Sequence, residues 1–152
     1  MPYQVNKFEL VTIRSGALPA SGDWDTGAVG TGFAECPCYR GSFVDLDAVL
    51  TKHASATSNT AELIVERSPV SSGNDWQPAE SSLDASGTPS GGVLVAGMTV
   101  LHRTLTTTGT LAVSWHVATY GAERLRVRAR ETGDTTNRGT LVVRARTVAV
   151  GA

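Results

Sequence analysis

Residues 124–131, RLRVRARE, alternate between charged and apolar side chains without interruption. Successive side chains of a β-strand point to opposite faces, so this period of two predicts a strand with one apolar and one basic face. We expect Leu125, Val127 and Ala129 to face a core and the four arginines to face outward. A helix would scatter the arginines around its axis, because its side chains repeat every 3.6 residues. The segment therefore predicts a sheet that is buried on one side.

Similar patterns recur along the chain, separated by segments rich in Gly, Ser, Thr, Asn and Asp, which are typical of turns. We find no segment whose pattern favours a helix. Many short strands at regular spacing predict an all-β fold, a single antiparallel β-sandwich of jelly-roll type that spans residues 1–152. Residues 1–6 are expected to form an N-terminal arm that orders on a neighbouring chain. The predicted strands are residues 7–13, 32–39, 42–51, 60–67, 93–105, 111–120, 124–131 and 140–150.

The charge is balanced overall and uneven along the chain. The 13 basic and 14 acidic side chains give a net charge of −1, which argues against a dedicated nucleic-acid binder. Seven of the basic side chains lie in residues 121–152, against three of the acidic ones. No apolar run reaches the roughly 18 residues that span a bilayer, so we expect no membrane association. Residues 1–10 do not resemble a signal peptide, so we expect synthesis in the cytoplasm.

The tetrapeptide DTGA at residues 25–28 matches the sequence around the catalytic carboxylate of half-size aspartic proteases. Those enzymes suspend this loop from an apolar strand and pair two carboxylates across a homodimer. Here the loop follows residues 20–24, ASGDW, which have turn composition. We therefore interpret the match as a glycine-rich loop in which Asp23 or Asp25 caps a turn.

Other chemistry-bearing residues are sparse. Cys36 and Cys38 would point to the same face of a strand, where small buried thiols are the first interpretation, and an intermolecular disulfide and a metal site are the alternatives. The histidines are isolated, and His116 is expected at the surface. Asp45 and Asp47 share a strand face, which fits a solvated surface better than a weak cation site. We predict no enzyme activity, no cofactor and no metal.

The arginine-rich strand is the most distinctive electrostatic feature. It suits either a solvated face with cross-strand pairs to Glu62, Glu66 or Glu131, or an interface with a protein; nucleic acid is disfavoured because no aromatic residue is expected on that face. Tryptophans in turns can anchor a partner or stack on a sugar, so a carbohydrate-binding module is an alternative. The candidate partner-binding residues are Arg124, Arg126, Arg128, Arg130, Arg144, Arg146, Trp24 and Trp76, with Arg144 and Arg146 expected on a strand next to the first four.

Two segments resemble small β-sandwich structural proteins of tailed bacteriophages. In residues 60–82 a strand ends in Glu-x-Ser and is followed by a Gly/Asn/Asp turn and a tryptophan. Residues 110–150 are similar in running from a strand through a short turn into an RLRV-type strand, then through a Gly/Thr turn into a final strand. The chain departs from the pattern by a longer insertion between Ser68 and Trp76. The residues that carry the first pattern are Glu66, Arg67, Ser68, Gly73, Asn74, Asp75 and Trp76.

This resemblance implies a virion protein with no active site. Its most specific form is a capsid decoration protein that binds the major capsid protein or other virion proteins and works as a homo-oligomer, with a trimer as one arrangement. A neck, head–tail connector or tail accessory protein is the alternative within the same class.

Overall fold

The computed structural model describes residues 4–7, 9–19, 24–25, 30, 32–38, 43–56, 59–78, 92–95, 98–105, 110–119, 121–134 and 136–151. These described residues form β-strands and contain no helix. The strands are β1 (Gln4–Lys7), β2 (Val11–Ala17), β3 (Cys36–Pro37), β4 (Phe43–Thr51), β5 (Asn59–Ser68), β6 (Gln77–Pro78), β7 (Gly92–Val95), β8 (Met98–Leu105), β9 (Thr110–Ala118), β10 (Arg124–Thr132) and β11 (Thr140–Gly151).

The strands form two antiparallel sheets. The β11 sheet has the order β1-β11-β4-β9, and β2 also pairs with β11. The β10 sheet has the order β3-β10-β5-β8-β7, and β6 also pairs with β5. The chain changes sheet between β4 and β5 and on each step from β8 to β11, so sequence neighbours face each other across the core. This interleaved strand order is that of a jelly roll, which confirms the predicted all-β sandwich.

The alternation read from the sequence sets the core. Along β4, inward side chains are buried and alternate with half-buried Phe43, Asp45 and Asp47. On β10 the predicted inward side chains are buried, and Arg124 at the start of the strand is buried as well. Removing each of the larger aliphatic side chains from water stabilises the fold by about 1.5–3 kcal/mol. The aliphatic residues that β4, β5, β10 and β11 contribute are Val44, Leu46, Ala48, Leu50, Ala61, Leu63, Val65, Leu125, Val127, Ala129, Leu141, Val143 and Ala145.

Two strand predictions each join two strands of the structure, and a third, at 32–39, contains among its described residues only the two-residue strand β3. The single strand predicted at 7–13 is two strands, β1 and β2, that pair in succession along β11. The single strand predicted at 93–105 is a hairpin of β7 and β8, in which Val95 pairs with Met98. Both errors arise because an apolar or alternating run continues through a short break in pairing. Sequence alternation reports which face a side chain takes and does not report where the strand changes partner.

The predicted N-terminal arm overlaps β1. Residues 4–6 pair with Ala149, Val150 and Gly151 at the end of β11 of the same chain. Residues 1–3 lie outside the described residues. The described part of the arm is therefore a strand of this sandwich, and contact of the arm with a neighbouring chain stays a prediction.

One edge of the sandwich is closed by residues 30–38. Gly32 accepts a hydrogen bond from the backbone N–H of Ser15 at 2.8 Å, and Ala34 donates to Ile13 at 2.9 Å, so the segment follows the edge of β2. It then enters β3, which pairs with Leu125 on β10. This short passage joins the β11 sheet to the β10 sheet.

A buried ion pair lies behind this closed edge. Pairing between β2 and β11 shifts register beside Arg14, where Val143 pairs with Arg14 and Arg144 pairs with Thr12. A bulge of this kind breaks the alternation, so Ile13 and Arg14 are both 1% exposed. The Arg14 Nε donates to Asp25 Oδ2 at 2.6 Å, and Nη2 donates to Oδ1 at 3.2 Å.

The remaining Arg14 donors are also used. They reach the backbone carbonyls of Gly16 at 3.0 Å, Ala17 at 2.9 Å and Leu141 at 2.8 Å. All five N–H donors of the guanidinium therefore have acceptors, which offsets much of the cost of burying its charge.

Asp25 carries the connection into the other sheet. Its backbone N–H donates to the Ala129 carbonyl at 2.8 Å, and its Oδ2 accepts from the Ala129 N–H at 3.1 Å. The Arg14–Asp25 pair thus ties β2 and β11 to β10 through one salt bridge. Asp25 was predicted to cap a turn; instead its carboxylate is the buried partner of Arg14, and Asp23 lies outside the described residues.

A second buried polar cluster lies where β10 turns into β11. Glu131 accepts from the Asn59 side-chain amide at 2.9 Å and from the Gly139 N–H at 2.8 Å. Asn59 also receives the Asp134 N–H at 3.0 Å. Glu131, predicted as a cross-strand partner of the arginines, instead faces inward at 3% exposure, because it falls on the apolar face of the alternation.

The Arg14–Asp25 pair predicts a large loss of stability when only one partner is removed. We expect Asp25→Ala to lower the free energy of unfolding by about 3–5 kcal/mol, because Arg14 keeps its buried charge without a counter-ion. Replacing both residues with apolar ones, as in Arg14→Met with Asp25→Leu, should recover most of this loss. Urea denaturation followed by tryptophan fluorescence measures the difference, with Asp75→Ala in an exposed loop as the control. An unchanged midpoint for Asp25→Ala would contradict the assignment.

The closed edge predicts that Gly32 tolerates no side chain. Gly32 has a φ of 81°, and a Cβ there would lie 2.5 Å from the Ser15 carbonyl oxygen. Gly73 has a similar φ of 86° with nothing near its Cβ position, so Gly73→Ala is a control for backbone strain alone. We expect Gly32→Ala to shift the urea midpoint clearly further than Gly73→Ala, because only Gly32→Ala also pushes β2 from its neighbour. Equal shifts would show that the close approach is not rigid.

Candidate protein-binding face

The outward side chains of β10 form a row on the outer face of the β10 sheet. Arg124, Arg126, Arg128 and Arg130 alternate with the core residues, as predicted, and β5 pairs alongside them. Trp24 and Trp76 lie over this row. We call these six residues the Arg–Trp face.

Carboxylates on neighbouring segments pair with the arginines. Arg126 Nε lies 2.7 Å from Glu66 Oε2, and Arg130 Nε pairs with Glu62. Both glutamates stand opposite these arginines in the β5–β10 register, so the predicted cross-strand pairs are confirmed for Glu62 and Glu66. Glu35 supplies a third carboxylate, with both oxygens 2.8 Å from Arg124 Nη1. No sequence signal identified Glu35, because it arrives from the segment just before β3.

The two tryptophans stack on the guanidinium groups. The Arg124 and Arg126 Cζ atoms lie 4.5 Å and 4.2 Å from the Trp76 ring centre, and the Arg130 Cζ lies 4.6 Å from the Trp24 ring centre. These distances are within the range of cation–π attraction. The expectation that this face carries no aromatic residue is therefore wrong.

Backbone pairing places both tryptophans there. Trp24 precedes Asp25, whose backbone is bonded to Ala129 beside Arg130. Trp76 precedes β6, which pairs with β5 at Glu66 and Arg67. The aromatic rings thus come from loops that local strand alternation does not describe.

The row differs along its length. Arg124 is fixed by the chain itself: Nε donates to the Val70 carbonyl at 2.9 Å, Nη1 to Glu35, and Nη2 to the Gly73 carbonyl. Its side chain is 9% exposed and that of Arg126 is 12% exposed. The side chains of Arg128 and Arg130 are 27% and 31% exposed. The end of the face near Trp24 is therefore the more accessible one.

Arg144 and Arg146 do not lie beside the first four arginines. They are on β11, which belongs to the other sheet, and pair with Asp47 and Asp45 of β4. The expectation that they extend the row was wrong because the chain crosses between sheets after β10. Strands that follow each other in sequence often pair as a hairpin. A jelly roll instead places β10 and β11 in opposite sheets.

The outer face of the β11 sheet is polar. His116 Nδ1 bonds with Asp45, and the Ser114 hydroxyl donates to Asp47. The His116 side chain is 65% exposed, as expected of a surface residue. Among the described residues, no cluster of three or more His, Cys, Asp or Glu side chains is arranged to hold a metal ion.

The cysteines are buried thiols. Cys36 Sγ lies 3.4 Å from the Thr147 hydroxyl, and Cys38 Sγ donates to the Ala122 carbonyl at 3.3 Å. Burial, followed by the nearby Cys36 and Glu123, raises the pKa of the Cys38 thiol to about 12. Burial also raises the pKa of Cys36. The first interpretation of these residues, as small buried thiols, is confirmed.

Comparison with known proteins assigns neither a family nor a function to this chain. No protein-family model and no curated protein matches the sequence. Among solved structures, the chain is similar to one from Desmodium yellow mottle tymovirus, with a TM-score of 0.43 and 10% identity, over 100% of this chain and 91% of that chain. A similarity this weak carries no inference about function. Within the described residues, no helix has the length and apolar character to cross a membrane.

The thiols predict a loss of stability at alkaline pH. The folded protein keeps Cys38 protonated up to about pH 12, whereas an unfolded thiol ionises near its ordinary pKa of 9.0. The contribution of the protonated Cys38 thiol to stability is therefore complete below pH 9.0, the pKa of the unfolded thiol. It is lost as the pH rises from there through about 12, the pKa of the folded thiol. We expect the free energy of unfolding to fall over this range, and to fall less in Cys38→Ala.

The same burial should protect both thiols from alkylation in the folded protein. Iodoacetamide at about pH 8 should label Cys36 and Cys38 only after denaturation, because the thiolate is the reactive form. Mass spectrometry of native and denatured samples measures this. Rapid labelling of the native protein would show that the β3 edge opens easily.

Proposed function

We propose that this chain is a non-enzymatic structural protein of a virion, and most specifically a capsid decoration protein that binds and stabilises the assembled head of a tailed bacteriophage. The observation that carries the proposal is the Arg–Trp face. It is a cationic, aromatic surface on the outside of a rigid sheet. We further propose that the protein acts as a homo-oligomer, with a trimer as one arrangement.

The composition of the face supports a role in binding proteins. Tryptophan and arginine are enriched among the residues that dominate interface energies, because each presents a large, partly apolar surface with a polar edge. Here salt bridges and stacking hold several of them in fixed positions before any partner arrives. Pre-organised side chains lose less conformational entropy on binding than mobile ones.

The topology supports a virion role at the level of fold. Jelly rolls recur in viral capsid proteins and in lectins, so this strand order is compatible with both. A fold alone does not decide function. The resemblance of residues 60–82 and 110–150 to phage structural proteins favours the virion. Trp76 of the first segment and the β10 arginines of the second belong to the Arg–Trp face.

The geometry also removes the main support for a protease. Asp25 is 5% exposed, and both carboxylate oxygens accept hydrogen bonds from Arg14. A catalytic aspartate dyad needs two accessible carboxylates that share a proton. Asp25 has a structural partner instead.

A carbohydrate-binding module is the second candidate, and one observation favours it. A carbohydrate-binding site would need Trp24 and Trp76 on one open face, and both lie over the same row of arginines. Within the virion class, a neck, connector or tail accessory protein uses the same kind of surface.

Co-sedimentation with undecorated heads tests the decoration role. Purified protein is mixed with heads of the virus that encodes it and run on a density gradient. We expect stoichiometric co-migration and a higher temperature of head disruption, because a ligand that binds only the assembled state stabilises that state by mass action. Heads already saturated with the protein are the control for non-specific adsorption.

Protein that stays at the top of the gradient would exclude a decoration role. Repeating the gradient with isolated necks and tails then tests the alternative within the virion class. A glycan-binding screen with the wild type and with Trp24→Ala tests the carbohydrate candidate. Binding that depends on Trp24 in the screen, with no binding to any virion part, would replace the virion proposal.

A further inference from the structure

Among the described side chains that form and border the Arg–Trp face, the charges do not cancel. Arg124 pairs with Glu35, and Arg130 pairs with Glu62. Glu66 serves two arginines: its Oε2 lies 2.7 Å from Arg126 Nε, and its Oε1 lies 3.6 Å from Arg128 Nη1. Among these seven side chains, one positive charge is left over.

The distances locate this charge at Arg128. The contact of Glu66 with Arg126 has hydrogen-bond length, whereas its contact with Arg128 is longer than a good hydrogen bond. Arg128 is held instead by its Nε, which donates to the Asp25 backbone carbonyl at 2.6 Å. A neutral carbonyl fixes the direction of the guanidinium and does not neutralise it.

The partly neutralised charge of Arg128 is also accessible. In the two salt bridges at this end of the face, the arginines are more exposed than the carboxylates: 27% for Arg128 against 11% for Glu66, and 31% for Arg130 against 16% for Glu62. The arginine side chains are therefore the more exposed partners at this end of the face. Trp24, stacked on Arg130, provides an aromatic surface next to them.

From this we infer that Arg128, Arg130 and Trp24 form a recognition site for a carboxylate side chain on an acidic segment of the partner protein. Arg128 would bind the carboxylate, since a guanidinium presents two parallel N–H donors to its two oxygens. Trp24 would hold Arg130 in place beside it through their stacking. The inference rests on the proposed function, because it names the partner chemistry of the same face.

The same features argue against other anionic ligands. A nucleic-acid backbone presents many phosphates and is bound by many cations, whereas this face has a surplus of one. An acidic polysaccharide would need open aromatic faces for its sugar rings. Here both tryptophans already have guanidinium groups stacked on them.

Arg124, Arg126 and Trp76 have a different role in this arrangement. Arg124 donates hydrogen bonds to the backbone carbonyls of Val70 and Gly73. These bonds hold residues 69–76 against the sheet at this end of the face. We assign these three as positioning residues that support the site without contacting the partner.

Matched charge-removing variants test the inference. Arg128→Gln and Arg144→Gln each remove one arginine, and Arg144 is exposed on the other sheet. We expect Arg128→Gln to weaken binding to undecorated heads by about tenfold or more, as loss of a charged hydrogen bond does. Its binding should also depend less on salt than that of the wild type. Arg144→Gln should bind as the wild type does, and thermal unfolding verifies that both variants fold.

A second probe is independent of the heads. A capped tetraglutamate peptide, with tetraglutamine as its control, is titrated into the protein while tryptophan fluorescence is followed. We expect a response to the glutamate peptide only, and its loss in Arg128→Gln. Lysine at this position, Arg128→Lys, keeps the charge and loses the paired donors, so it should bind between the wild type and Arg128→Gln.

The outcomes separate the two proposals. Head binding that Arg128→Gln leaves unchanged overturns the site and leaves the decoration role standing. Absent head binding with Arg128-dependent peptide binding overturns the decoration role and supports an acidic partner elsewhere. Arg128-dependent binding to polygalacturonate without binding to the peptide overturns the protein partner in favour of an acidic glycan.

Discussion

The salt bridge between Arg14 and Asp25 is the interaction on which the rest of the structure depends. It is buried between the two sheets, and its hydrogen bonds reach β2, β10 and β11. A charge in such a place is tolerated only when its hydrogen-bonding capacity is filled, and here all five donors of the guanidinium are. The pair also fixes the position of the loop that carries Trp24. A requirement of the core therefore determines part of the surface.

The Arg–Trp face follows from the same connection. The backbone of Asp25 pairs with Ala129, so Trp24 stands beside Arg130, and the Asp25 carbonyl receives the Nε of Arg128. One aspartate thus uses its carboxylate for the core and its backbone for the outer face. A sheet covered by a helix would hide such a surface. In the described part of the chain, this face is covered by stacked tryptophans and, at the Arg124 end, by residues 69–76, so the groups beside Trp24 stay available to a partner.

Much of the fold was predictable from local patterns, and the failures have one cause. Alternation identified the inward residues of β10, because face selection depends only on neighbours two residues apart. Arg14 was missed because a bulge turns it inward, and a bulge is decided by pairing with β11. Arg144 and Arg146 were misplaced because sheet membership depends on where the chain crosses. The tryptophans were named as candidates, but their stacking on the arginines depends on long-range backbone contacts that no short segment encodes.

The same distinction bears on how a jelly roll acquires function. Capsid proteins and lectins share this strand order, so the fold does not distinguish protein binding from sugar binding. What distinguishes them is whether the aromatic rings on the surface are open and how the charges around them are paired. A sugar-binding platform needs indole faces open to the ligand, whereas here cations occupy positions over those rings. Stacking fixes the arginines, and the shared carboxylate of Glu66 leaves one of them only partly neutralised. A rigid surface with a single surplus charge suits one carboxylate at a defined place, which is a feature of protein partners that meet in one register.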